Sequence, residues 1–183
     1  MSATIGLDYS LIFNAASNGM AFTDHDSGRI LDVNEAWISA TGISRGDCVG
    51  KTAFDLGLWA NPGEREACVS SLRRDGQIKD FEASLVMRGI ALPHLISGQV
   101  VDAATGRFIL WEFKNISERK RAERALQEFS RDFEAFLDQA TDFIYFKDRE
   151  SRIRFCSQTL ADITGHSDWR EMIGKHDREI DRK

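Results

Sequence analysis

The sequence has no long apolar run, no paired cysteines and no excess of positive charge. No stretch of its 183 residues approaches the roughly 20 apolar residues that a membrane helix requires. The first ten residues lack the basic flank and apolar run of a secretory signal. Cys48, Cys68 and Cys156 stand alone, without a CxxC pair or a histidine at metal-ligand spacing. These absences predict a cytoplasmic protein with reduced thiols, no direct membrane insertion, no disulfide framework and no metal site.

Charge and composition narrow the class of protein further. The net charge is −5, from 24 basic and 29 acidic side chains, so the chain lacks the positive field on which non-specific nucleic-acid binding depends. Hydrophobic residues make up 42% and charged residues 29%, which is typical of a folded globular protein. The length leaves room for one domain of about 100–150 residues and a substantial further segment. We therefore expect no nucleic-acid partner.

The chain carries an internal repeat at a spacing of about 124 residues. Residues 16–24 match 140–148 in pattern: an alanine, a small polar residue, an alternating apolar segment and an aspartate. Three dipeptides recur in the same order: Arg29-Ile30 as Arg152-Ile153, Thr41-Gly42 as Thr164-Gly165, and Gly50-Lys51 as Gly174-Lys175. The second copy has no equivalent of the later strands of the first. The repeat therefore predicts one complete unit and an incomplete second one.

Apolar spacing in the first copy predicts two strands, a helical middle and three more strands. A polar turn containing Gly28 separates the first two strands, as in a hairpin. Asn34 is placed to cap a short helix, and a longer helix begins near Pro62. From Ile78 onward apolar residues alternate, which is typical of half-buried antiparallel strands. This order predicts an α+β domain with one antiparallel sheet half-covered by helices.

Several short motifs of the first copy occur in a recognisable order: Arg-Ile-Leu-Asp-Val-Asn-Glu-Ala-Trp at 29–37, Thr41-Gly42, Val49-Gly50-Lys51, and the exit at 115–120. This order resembles the PAS (PAS/PAC, S-box) family of sensor domains, as found in bacterial sensor kinases and diguanylate cyclases. The resemblance covers residues 9–117 in full and 137–183 in part. It implies a five-stranded antiparallel sheet with helices on one face around a small pocket. It also implies control of a histidine kinase, a diguanylate cyclase or a transcriptional regulator.

On this basis we divide the chain into four segments: an N-terminal leader, 1–8; a complete PAS-like sensor domain, 9–116; a signalling helix, 117–136; and an incomplete second PAS-like domain, 137–183. The resemblance assigns signal output to the exit residues Asn115, Ile116, Ser117, Glu118, Arg119 and Lys120. The family commonly has Asp-Ile-Thr at this exit, whereas this chain has Asn115-Ile116-Ser117. The change keeps the hydrogen-bonding geometry and removes a carboxylate.

Aromatic and apolar residues of the first copy are candidates to line a ligand pocket, which is usually apolar with a few polar anchors. These candidates are Phe22, Trp37, Phe54, Phe81, Leu85, His94, Ile96 and Trp111. Ordinary core packing explains the same residues equally well. His25 lies in the hairpin turn and is expected to be exposed to solvent.

The sequence requires no cofactor. His94 alternates onto the strand face of Leu92 and Ile96, where it could ligate a haem iron. The simpler interpretation is a surface histidine or one satisfied by hydrogen bonds, and Pro93 beside it suggests a strand edge or bulge. Light-sensing relatives need a cysteine in an Asn-Cys-Arg-Phe setting to react with flavin, and that motif is absent. No catalytic signature occurs either, so we do not expect an enzyme.

Residues 117–140 are predicted to form a continuous helix with one apolar stripe. The stripe follows the heptad spacing of a coiled coil: Ala122, Leu126, Phe129, Phe133, Phe136 and Ala140. It predicts a parallel homodimer. In the alternative, the phenylalanines pack onto their own domains and the chain is monomeric.

The sequence thus predicts a sensory and regulatory module of a bacterial-type signal-transduction protein. It binds a small ligand or mediates dimerisation, and passes the signal through the C-terminal helix to an output kinase or cyclase domain, in cis or in trans. The alternatives are a ligand-free scaffold for dimerisation and protein interaction and, less favoured, a haem-binding gas or redox sensor.

Overall fold

A computed structural model describes residues 9–180 and divides the chain into two compact units, with the boundary between Lys120 and Arg121. The predicted leader, 1–8, lies outside the described residues, as do the last three residues of the predicted second domain. No helix among the described residues is long and apolar enough to span a membrane.

The first unit is built on one antiparallel sheet of five strands, which confirms the predicted α+β class. The strands are β1 (Gly19–Asp24), β2 (Ile30–Val33), β3 (Gln77–Met87), β4 (Ile90–Ala103) and β5 (Gly106–Asn115). Their order across the sheet is β2-β1-β5-β4-β3. The last strand of the unit therefore lies at the centre, paired with β1 on one side and β4 on the other.

The helices of the first unit begin and end where local chemistry favours it. They are α1 (Tyr9–Ala15), α2 (Glu35–Thr41), α3 (Arg45–Cys48), α4 (Pro62–Asp75) and the start of α5 (Ser117–Gln139). The Asn34 side chain accepts from the Trp37 amide over 2.9 Å and caps α2, as predicted. Asn61 caps α4, whose first residue is Pro62, and Gly76 ends it with a φ of 72°.

Side chains from one sheet face and the helices above it form the core of the first unit. The buried members are Ala21, Ile30, Val33, Trp37, Cys48, Leu58, Cys68, Leu72, Ala83, Leu85, Met87, Ile96, Ile109 and Trp111. Gly98 on β4 lies beneath the Trp111 ring, and a Cβ there would stand 2.7 Å from two ring carbons. The indole can occupy this position only because residue 98 has no side chain.

Helix α1 adds a contact on the other face of the sheet. Phe22 alternates with the buried Ala21 and therefore points away from the core. Its ring centroid lies 5.5 Å from that of Phe13 and 5.8 Å from that of Tyr9. Phe13 is only 4% exposed, so these three rings form a small aromatic cluster behind the sheet.

The second unit contains the rest of α5, a two-stranded sheet and short helices. These elements are β6 (Tyr145–Lys147), β7 (Ile153–Cys156), α6 (Gln158–Ile163) and two 3-10 helices, Trp169–Met172 and Asp177–Glu179. A second core holds the unit together and consists of Leu137, Ile153, Cys156, Ala161, Trp169 and Met172. The Trp169 indole donates to the Asp138 carboxylate over 2.6 Å, which satisfies its polar atom.

Each unit contains hydrogen bonds at positions that correspond through the sequence repeat. In the first unit, the Ile30 amide donates to the Lys51 carbonyl over 2.8 Å. In the second, Ile153 donates to Lys175 over 2.9 Å. A cap side chain also accepts a backbone hydrogen bond in each: Asn34 from Met20 on β1 at 2.8 Å, and Ser157 from Ile144, just before β6, at 3.2 Å. That residues 137–183 are an incomplete copy of the first domain stays a prediction.

Candidate ligand cavity and helix exit

The first unit contains a cavity of about 110 Å³ between its sheet and α4. An engineered apolar cavity of about 150 Å³ is large enough for benzene, so this smaller one holds a single ring at most. Its lining residues are Ala21, Thr23, His25, Ser27, Gly28, Ile30, Trp37, Ala53, Leu58, Trp59, Arg65, Val69, Arg73, Leu85, Met87, Ile109, Trp111 and Phe113. The interior is apolar, and the charged groups come from α4 and from the β1–β2 turn.

Three tryptophans are among the residues that line the cavity. Trp37, Trp59 and Trp111 are three of the four tryptophans in the chain. The Trp111 indole donates to the Thr23 hydroxyl oxygen over 2.9 Å. No acceptor for the hydroxyl's own hydrogen occurs among residues 9–180, so this group can donate to a molecule in the cavity.

Helix α4 presents an arginine, a valine and an arginine to the cavity. They are Arg65, Val69 and Arg73, which follow one another at intervals of four residues and so lie on one helix face. Neither Arg65 nor Arg73 forms an ion pair within the described part of the chain. The adjacent Arg74 does, with its guanidinium 2.8 Å from the Asp75 carboxylate. The two arginines that line the cavity are therefore the ones without a carboxylate partner.

The β1–β2 turn places a histidine at the same cavity. The His25 amide donates to the Arg107 carbonyl over 3.1 Å, and its Nδ1 lies 2.7 Å from the Asp26 carboxylate. The side chain is 18% exposed, so the expectation that it faces solvent was wrong. The Ser27 hydroxyl donates to Asp24, which lowers the pKa of that carboxyl. Because this hydroxyl bonds to Asp24 and not to His25, the turn does not form a nucleophile–base pair.

The start of α5 is attached to the sheet by three contacts. The Asn115 side-chain oxygen accepts from the Ser117 amide over 2.8 Å. Ile116 is buried, and its amide donates to the Pro93 carbonyl over 3.0 Å. The Lys120 ammonium lies 2.7 Å from the Glu82 carboxylate on β3. Asparagine thus forms the expected exit hydrogen bond without a charge, while Glu118 and Arg119 are exposed.

Residues 7–85 match the family model of the PAS fold. The PAS domain of a protein from Colwellia psychrerythraea is similar to 60% of this chain over 94% of its own length, with 17% identity and a TM-score of 0.51. The N-terminal unit is a PAS domain. The PAS domain of nitrogen regulation protein NR(II) from Vibrio parahaemolyticus is similar over 58% of this chain and 96% of its own length, with 18% identity and a TM-score of 0.50.

A third solved structure is similar to a larger part of the chain. An RNA-binding light-oxygen-voltage receptor matches 71% of it and 40% of the receptor's own chain, with 18% identity and a TM-score of 0.55. At these identities the likeness shows the fold alone. A comparison with curated proteins finds no match.

Three of the eight predicted pocket residues line the cavity of the PAS domain: Trp37, Leu85 and Trp111. Phe22 packs on the opposite sheet face, and Phe54 is 70% exposed in the irregular segment before α4. Phe81 and Ile96 belong to the core at positions that do not reach the cavity. These four residues, and His94 as a fifth, lie outside the lining of this cavity, and the predicted set of ligand-binding residues stays a prediction.

His94 is buried outside the cavity, with 2% of its surface exposed. Its Nδ1 lies 2.9 Å from the Leu92 carbonyl oxygen, and burial lowers the pKa of the imidazole. A haem needs an open position beside its axial ligand and a far larger space than about 110 Å³. The residues of this PAS domain do not fit that cofactor. No cluster of metal-ligating side chains occurs among residues 9–180.

Sequence reasoning missed the basic side chains of the cavity. Apolar character alone groups Val69 with Cys68 and Leu72 on α4. In the PAS domain those two residues are fully buried, and the neighbouring face with Arg65 and Arg73 faces the cavity. Arg65, Val69 and Arg73 follow one another at intervals of four residues, and this spacing could have indicated from the sequence that they share one helix face.

Burial also determines the reactivity of the three cysteines. Cys48, Cys68 and Cys156 are all buried and unpaired. Burial raises the pKa of the Cys68 thiol to about 11, so it is protonated at neutral pH and a weak nucleophile. These thiols act as small apolar side chains of the core.

Proposed function

We propose that this chain is a cytoplasmic sensory module of a bacterial-type signal-transduction protein. Its PAS domain binds a small organic molecule in the cavity. The bound state is passed through α5 to an output kinase or cyclase domain, in cis or in trans.

The observation that carries this proposal is the position of β5. Ile109, Trp111 and Phe113 of this strand line the cavity, and Asn115 at its end caps α5. At about 3.3 Å per residue, the Trp111 backbone lies only about 13 Å from that cap. A ligand that moves the Trp111 ring therefore acts on the strand from which the helix begins.

The experiment is to fill the cavity without altering the surface. Ala21 lies on the cavity wall and is 2% exposed, so Ala21→Leu places extra carbon atoms in the cavity. Ala40→Leu, on an exposed position of α2, is the matched control. We would screen a library of small organic acids, amides and amines by thermal shift. We expect stabilising ligands for the natural chain and for Ala40→Leu, and none for Ala21→Leu. Equal responses in all three proteins would show that the cavity is not the binding site.

A dimerisation scaffold is the second candidate, and exposed apolar residues of α5 favour it. Leu126, Phe129 and Phe136 are each more than half exposed on this helix. Phe133 instead packs within the second unit, with its ring centroid 5.2 Å from that of Phe155. Ala122 is exposed and Ala140 half-buried. A homodimer seam would therefore use Ala122, Leu126, Phe129 and Phe136. A dimer that forms without any ligand response in the PAS domain would favour the scaffold.

A further inference from the structure

The cavity of the PAS domain is lined by basic side chains and by no acidic one. Arg65, Arg73 and His25 contribute to the lining, and none of its residues is an aspartate or a glutamate. The chain as a whole is acidic, with a net charge of −5, so this local excess does not reflect composition. Asp26 balances His25 but is not itself part of the lining.

We infer that the ligand is a compact organic monocarboxylate, with its apolar body in the cavity and its carboxylate towards the face of α4 that carries Arg65 and Arg73. This inference rests on the proposed function and names the chemical class of the molecule sensed. A single aromatic ring or a short branched chain meets the requirements of the site.

The volume sets the size of the apolar body. A space of about 110 Å³ is smaller than the cavity of about 150 Å³ that accepts benzene, so the buried part is a single ring at most. Trp37, Trp111 and Ile109 offer it flat, apolar walls. A long alkyl chain would extend through the mouth into solvent and gain little from burial.

The two arginines determine which charge the ligand should carry. Guanidinium groups bind carboxylates through paired, charge-assisted hydrogen bonds, which are stronger than those between neutral groups. Arg65 is half-buried beside the apolar wall and has no carboxylate partner within the described residues. Its helix is held in place because the Glu64 carboxylate accepts from the Ser84 amide over 2.9 Å. A ligand carboxylate would supply the missing counter-charge beside the apolar wall of the cavity.

A cationic ligand is the strongest competitor, because three tryptophans resemble an aromatic cage. Cation–π attraction at such a site contributes favourable energy when the cation is desolvated. Two unpaired guanidinium groups at the same cavity, however, repel a second positive charge. The charges of the lining therefore favour the anion over the cation.

The test compares three probes of nearly equal shape: benzoate, benzamide and phenyltrimethylammonium. Binding to the full chain is followed through the indole N–H signals in ¹⁵N–¹H spectra. Trp37, Trp59 and Trp111 report on the cavity, and Trp169 in the second unit is the internal reference. We expect benzoate to shift the three cavity indoles, to leave Trp169 unchanged, and to bind more tightly than either other probe.

The variant for this test is Arg65→Gln combined with Arg73→Gln. It should weaken benzoate binding by about tenfold or more and change benzamide binding by less than about twofold. Arg74→Gln, on the same helix but paired with Asp75, is the matched control and should bind benzoate like the natural chain. Dispersed spectra of each variant verify folding.

The outcomes separate the ligand class from the proposed function. Benzamide or phenyltrimethylammonium binding as tightly as benzoate would overturn the monocarboxylate and leave a sensory cavity standing. Benzoate binding that is unchanged in the double arginine variant would also overturn the monocarboxylate and leave a sensory cavity standing. If no probe shifts the cavity indoles at up to about 10 mM, the inference fails, and the comparison of Ala21→Leu with Ala40→Leu decides the sensory function by itself.

Discussion

Replacement of Gly98 by alanine should destabilise the PAS domain by forcing Trp111 out of position. The new Cβ would stand 2.7 Å from two carbons of the Trp111 ring and 2.8 Å from Leu72 Cδ1. Carbon atoms at optimal separation are about 3.5–4.0 Å apart, so the ring has to move by roughly 1 Å. Overpacking of this kind costs about 1–3 kcal/mol. Loss of the hydrogen bond from the indole to Thr23 adds about 1 kcal/mol.

A smaller effect acts in the opposite direction. Alanine reduces the conformational freedom of the unfolded chain and so favours folding by about 0.4–1 kcal/mol. We therefore expect Gly98→Ala to lower the free energy of unfolding by about 1–3 kcal/mol. The expected loss thus remains when the entropic gain is included.

Urea unfolding of the full chain, followed by tryptophan fluorescence, measures this loss. Gly46→Ala is the matched control, because a Cβ at that position in α3 meets nothing closer than the Ser44 hydroxyl at 4.0 Å. The control should be as stable as the natural chain or slightly more stable. Stability of Gly98→Ala within about 0.5 kcal/mol of the natural chain would refute the close approach of the Trp111 ring.

Other groups of the chain allow further tests. Thr23→Val leaves the buried Trp111 indole without an acceptor and should cost about 1–3 kcal/mol in urea unfolding; a loss that persists unchanged in a Trp111→Phe background would argue against this bond. Burial lowers the pKa of His94 in the folded state, so the unfolded state takes up a proton first as pH falls. The free energy of unfolding should therefore decrease as pH falls from about 6.5 towards the lower folded pKa, and His94→Gln should flatten that part of the profile. Leu126→Glu with Phe129→Glu should convert a dimer seen by light scattering into a folded monomer, because both side chains are exposed on α5. An unchanged mass would exclude this seam.

Local patterns predicted the elements of the PAS domain because each was decided by neighbouring residues. Alternation from Phe81 to Met87 marks one buried face of a strand, and the structure has that face. Asn34 caps its helix because its side chain reaches the amide three residues ahead. Pro62 begins α4 because a proline has no amide hydrogen to leave unpaired there.

The cavity lining was harder to predict because it depends on contacts between distant parts of the chain. Phe22 differs from its cavity-lining neighbours only in strand parity, and the rings of α1 cover it from behind. His25 is brought to the mouth by a hydrogen bond to Arg107, more than 80 residues later in the chain. The rotation of α4 that exposes Arg65 to the cavity is set by the burial of Leu72. Apolar spacing within one segment carries none of this information.

The central position of β5 also determines when the PAS domain can fold during synthesis. Gly19 and its neighbours on β1 pair with β5 residues that follow about ninety positions later, at Phe113. The N-terminal hairpin therefore leaves the ribosome several seconds before its partner strand, at about 5–20 residues per second. Contacts of such long range also slow folding after synthesis. Because α5 starts two residues after the end of β5, it leaves the ribosome only when every strand of the sheet has already been synthesised.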